Sequence, residues 1–160
     1  MSKFLKFSFS VVLVFVILLV SCKGGNNNGT NTEANDKEFN NQLNKLLSEI
    51  VVELKSPKKV ELTPRRFIEL SSIIVVSNYY WDKELIEMNQ SRSNELSQEE
   101  IENYISEKKQ KLLEAFGISV DEFENYAVEH QKEFQEFVTQ NKDLIDKYNT
   151  LSSMIPTFEN

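Results

Sequence analysis

Beyond residue 29 this chain holds one glycine, Gly117, and three prolines, Pro57, Pro64 and Pro156. Both residue types interrupt or end helices. Here they fall between stretches whose apolar residues recur every three or four positions. A sequence with so few breaks has few places to turn, and its segments are long enough to be helices. The expectation is an all-α fold, a small bundle of about four helices over residues 37–155.

Asp36 is placed to cap a first helix at about 37–55, whose stripe is Phe39, Leu43, Leu46, Leu47, Ile50, Val51 and Leu54. Lys55-Ser56-Pro57 should end it. Thr63-Pro64 then combines a capping hydroxyl with a proline at the first helical position, where no hydrogen bond is lost. The helix it opens should reach about Met88. Its middle is apolar on most sides, through Ile73, Ile74, Val75, Val76, Tyr79, Tyr80 and Trp81. A helix of that kind belongs at the centre of its domain. The β-branched run Ile73–Val76 also suits a strand, but the sequence offers no second strand to pair with it.

Ser97-Gln98-Glu99-Glu100 is a capping box and opens a third helix with Ile101, Tyr104, Ile105, Leu112, Leu113 and Phe116. Lys108 interrupts that stripe, so partial cover is expected. Gly117 suits the left-handed turn past a helix end, and Ser119-Val120-Asp121-Glu122 repeats the box a few residues later. A fourth helix should run over 120–151, about 45 Å long at 1.5 Å per residue. Phe123, Ala127, His130, Phe134, Phe137, Asn141, Leu144, Tyr148 and Leu151 alternate steps of four and three, which is a heptad seam. Packing within the domain is the favoured use of that seam over pairing between chains. Residues 156–160 read as a tail.

The N-terminus is of another kind. Lys3 and Lys6 precede an unbroken apolar run, Val11 to Val20, too short to span a membrane. Leu19-Val20-Ser21-Cys22 follows, and Cys22 is the only cysteine. This stretch resembles the lipobox of bacterial lipoproteins. The resemblance implies a signal peptide over 1–21, a diacylglyceryl group on the Cys22 thiol, cleavage before Cys22, and acylation of the freed amine. It also implies a bacterial envelope location. Lys23, where some lipoproteins carry a retention aspartate, leans towards the outer membrane or surface. Residues 22–36 read as lipidated cysteine plus tether. From 24 to 36 that tether is rich in Gly and Asn, reaching at most about 45 Å and spanning roughly 20 Å as a coil. Residues 63–138, through Thr63-Pro64 and Leu112-Leu113-Glu114-Ala115-Phe116-Gly117-Ile118-Ser119, are similar to small helical bacterial lipoproteins. That likeness implies a fold and no activity.

Cleavage would remove two lysines and no acid, taking the formal charge from −7 to −9. Such a chain gains nothing electrostatically from nucleic acid or anionic headgroups, so no nucleic-acid partner is expected. With Cys22 acylated, no thiol remains for a disulfide or metal site.

Chemistry-bearing residues are sparse. His130 is the sole histidine and sits on the seam, where a structural role outweighs a catalytic or ligand one. Zinc would need further His or Cys. Glu99, Glu100 and Glu102, and then Asp121, Glu122 and Glu124, sit in first helical turns that favour negative charge. There is no phosphate-cradling glycine loop and no Gly-x-Ser-x-Gly elbow. No cofactor and no catalytic residue is expected. Tyr79, Tyr80 and Trp81 fan over about 200° of a helix, so at least one should reach a boundary. With Arg65 and Arg66 they are the candidate binding residues. The reading is a membrane-anchored, non-enzymatic module that binds another envelope or extracellular protein. The alternative is a carrier or chaperone for an apolar ligand held against Ile73–Trp81.

Overall fold

In the computed structural model the described residues are 32–54 and 59–155. The expected signal segment, Cys22, the expected tether up to residue 31, residues 55–58 and the expected tail at 156–160 lie outside them. The described residues form six α-helices and no strand: α1 Thr32–Ile50, α2 Pro64–Gln90, α3 Gln98–Ala115, α4 Val120–Glu129, α5 Gln131–Gln140 and α6 Lys142–Met154. The all-α expectation holds, and Ile73–Val76 is helical. The expected count of four does not hold.

α2 packs against each of the other five helices. Its central place follows from composition, since a helix apolar on most sides needs neighbours all round. Thr63 caps it as expected, its hydroxyl accepting from the Arg66 N–H at 3.3 Å. Leu43 and Ile50 of α1 meet Phe67, Ile68, Leu70, Ile74, Val76 and Tyr79 of α2 in one continuous core. Leu113, Phe116, Ile118, Phe123, Tyr126, Leu144 and Leu151 complete it from the second half. Burying one such side chain is worth about 1.5–3 kcal/mol.

α1 runs antiparallel to α2. Asp36 lies 3.7 Å from Lys83, the Phe39 ring sits tilted against Tyr79 at 5.3 Å, and the chain just past α1 reaches Glu69. The helix starts at Thr32, so residues 32–36 of the expected tether belong to it. It stops at Ile50, five residues short of the expected end, because the next free backbone amides are drawn off by Glu69.

α3 returns antiparallel to α2, with Lys108 Nζ 2.8 Å from Glu84. The Ser97–Glu100 box closes in both directions. At the far end Gly117 has φ 71°, and Ile118 N–H donates back to Leu113 O at 3.1 Å. A Cβ at Gly117 would lie 3.1 Å from the Lys59 backbone, so glycine serves both the turn and the close approach. At Ser119 the hydroxyl accepts from the Glu122 N–H at 3.1 Å.

The expected fourth helix is broken twice, at His130 (φ −109°, ψ 29°) and at Asn141 (φ −119°, ψ 45°). The Asn141 side-chain amide donates to Phe137 O at 2.8 Å, a local bond of the kind that competes with helix continuation. Phe67 supplies the larger reason. The rings of Phe123 and Phe134 both lie against it, at centroid distances of 4.8 and 5.4 Å. On one straight helix those two residues would stand about 16 Å apart along the axis, too far to share a ring. Bending the chain lets both reach the core. α6 then packs along α1, with Lys147 3.0 Å from Glu49.

Candidate functional site

The residues nominated from sequence do not make one patch. Tyr79 and the Arg65-Arg66 pair are fourteen and thirteen residues apart on α2, about 20 Å along its axis. Tyr79 is buried between Phe39 and Tyr80, with the Lys83 ammonium 4.7 Å from its ring centre. Trp81 is buried as well, outside the continuous core. Tyr80 is half-buried, the boundary member of the fan.

The arginines are engaged in a charged lock at the other end. Glu69 is 0% exposed. Its carboxylate accepts from three successive backbone amides, Val52, Glu53 and Leu54, at 3.0–3.2 Å, and from Arg65 Nε at 3.1 Å. Successive amides turned inward form a concavity that suits an anion. Arg65 also lies 3.6 Å from Glu53, and Arg66 Nε lies 3.3 Å from the same carboxylate. The Arg66 guanidinium further donates to Glu61 O at 3.1 Å. This cluster fastens the end of α1 to the start of α2. Sequence reasoning missed Glu69, although one signal was present. It is the only acid between Pro64 and Trp81, and Arg65 stands one helical turn before it.

His130 lies at the α4–α5 break, exposed, stacked on Tyr126 at 4.6 Å and 3.5 Å from Glu133. Burial, and the Glu133 charge after it, push the Tyr126 hydroxyl up to about 12. The Ser97 backbone amide, the Ser97 hydroxyl and Arg92 hold Glu100 below the usual carboxylate range. Among the described residues no group of His, Cys, Asp and Glu is placed to hold a metal ion.

Asp82 behaves oppositely. Burial alone pushes its carboxyl up, and no partner among the described residues offsets this. A raised folded value means stability that is present below the ordinary aspartate range and lost as pH rises through the folded value. Asp82→Asn should therefore raise the thermal midpoint at neutral pH, with the gain shrinking to nothing in acid. Melting curves across that window test it, and an equal gap at both ends would refute it.

A concave surface lies where α3 meets α4. One hollow of about 350 Å³ is lined by Ile101, Glu102, Ile105, Ser106, Lys109, Val120 and Glu124. A second of about 430 Å³ adjoins it at Val120 and runs past Gln110, Glu114, Ile118 and Asp121. Ile101 and Ile105 are half-buried and stand outside the continuous core, so α3 is covered only in part, as its interrupted stripe suggested. The buried interruption is Lys109, 8% exposed, with Nζ 2.6 Å from Glu124. Lys108 instead reaches Glu84 and stands 5.1 Å from the Tyr104 ring centre. No family of proteins, no curated protein and no solved structure matches the chain.

Proposed function

We infer that the chain is a bacterial lipoprotein held to a membrane of the cell envelope through Cys22, outer or surface-facing. Its helical domain acts there as a non-enzymatic module that binds another envelope or extracellular protein. The observation that carries this reading is the Leu19-Val20-Ser21-Cys22 stretch after a basic start and a short apolar run. Two or more acyl chains on one residue hold a protein stably, since each buried methylene is worth about 0.8 kcal/mol. No described helix is long and apolar enough to cross a membrane.

The layout of the domain supports the reading. α1 begins ten residues after Cys22, within at most about 35 Å of chain. Its start lies at the end of the bundle where α2 closes and α3 opens. A tether from Cys22 would enter at that end, and the Glu69 lock lies at the other. The carrier reading has less support. Ile74, Val76, Tyr79 and Trp81 are buried against protein, and residues 73–81 line neither hollow.

Metabolic labelling with a fatty-acid analogue in a bacterial host tests the anchor. The parent chain should take up label and partition into the detergent phase. Cys22→Ala should take up none and accumulate as full-length precursor. Labelled Cys22→Ala protein would remove the reading.

A further inference from the structure

The α3–α4 groove carries an inference that rests on the binding-module reading and gives it a partner. Its floor is aliphatic, formed by Ile101, Ile105 and Val120. Measured along α3 from Ile101 to Glu114 it spans thirteen residues, about 20 Å. Four carboxylates line it, those of Glu102, Glu114, Asp121 and Glu124, against one ammonium, that of Lys109. Lys109 is taken up by Glu124, while Glu102 and Glu114 accept from the uncharged amides of Gln98 and Gln110. The groove is thus apolar at its base in the hollow of Ile101, Ile105 and Val120, mixed in the adjoining one, and net negative along its sides.

We propose that this groove docks a cationic amphipathic helix of another envelope protein, with aliphatic residues on one face and Lys or Arg flanking them. Helix-in-groove recognition uses apolar anchors spaced three and four residues apart, and a groove of about 20 Å takes three to four turns. Flanking cations would meet Glu102, Glu114 and Asp121, fixing register and speeding encounter. Charge argues against a second copy of this chain, which carries −7, or −9 once cleaved before Cys22, and would bring acid to acid. It argues equally against an anionic lipid surface.

The full lipidated chain in neutral-detergent micelles is the material for the test. The probe is a labelled peptide of about 14 residues. It carries leucines at helical spacing and lysines elsewhere, and its counterpart has glutamates in place of the lysines. Fluorescence anisotropy should show the lysine peptide binding at least about tenfold more tightly than the glutamate one, and less tightly as salt is added. The double substitution Glu102→Lys with Glu114→Lys should weaken the lysine peptide about tenfold or more. Ile105→Ser should weaken it through the floor. Glu38→Lys with Glu136→Lys, on α1 and α5, should leave it unchanged, and circular dichroism checks the fold of each variant.

Equal binding of the two peptides, or equal loss from the groove and control reversals, overturns the proposal. So does a groove variant that binds like the parent. Such a result with Cys22 still labelled removes the groove and leaves the anchored module. Loss of labelling with peptide binding intact removes the anchor and leaves the groove.

Discussion

Glu69→Ala should lower the unfolding free energy by about 3–5 kcal/mol, because it leaves a row of inward-facing backbone amides without an acceptor, at about 1–3 kcal/mol each. The carboxylate is fully buried and is the shared acceptor for the Val52, Glu53 and Leu54 amides and for Arg65. Alanine leaves those amides without an acceptor and Arg65 facing Glu53 alone, at 3.6 Å. A domain this size has a total stability of about 5–15 kcal/mol, so the loss is a large share. Glu69→Gln keeps one acceptor oxygen and the shape, and should cost about 1–3 kcal/mol. Urea unfolding followed by circular dichroism measures both. Hydrogen exchange at residues 52–54 supplies the local readout, since those amides should exchange fast in the alanine variant while α3 amides follow global stability alone. A loss below about 1 kcal/mol with 52–54 still protected would mean that Glu69 does not hold the end of α1.

How much of this was legible in the sequence depends on whether a feature is local. Thr63-Pro64, the Ser97–Glu100 box and Gly117 act through backbone groups within a few residues, and each appears where the residue types place it. The central position of α2 was legible too, because an all-round apolar helix has one stable environment. The Glu69 lock was not. Its amide partners lie fifteen to seventeen residues away across a joint, and no periodicity reports such a contact. The groove escaped for a related reason. Half-covered Ile101 and Ile105 have the same spacing as core residues, and only the limited contact between α3 and α4 leaves them open. Aromatic adjacency at Tyr79-Tyr80-Trp81 drew attention to residues that mostly serve packing.

The breaks at His130 and Asn141 show the limit of the heptad reading most clearly. A three-four repeat says which residues turn inward and says nothing about whether the axis is straight. Phe67 decides that question, because its ring meets Phe123, Tyr126 and Phe134 at 4.8, 5.6 and 5.4 Å. Phe67→Ala should cost about 3–5 kcal/mol, as large-to-small changes of buried aromatics do. The damage should spread unevenly. α4 and α5 lose their shared anchor on α2, so their amides should lose protection beyond the global change, while α1 and α6 amides track it. A double-mutant cycle with Phe134→Ala isolates the edge-to-face pair, with a coupling of about 0.5–1.5 kcal/mol expected. On an unbroken helix seated through Phe123, Phe134 would be out of reach and the two substitutions would simply add. Additivity would therefore refute the bend at His130 as the means by which both rings reach Phe67.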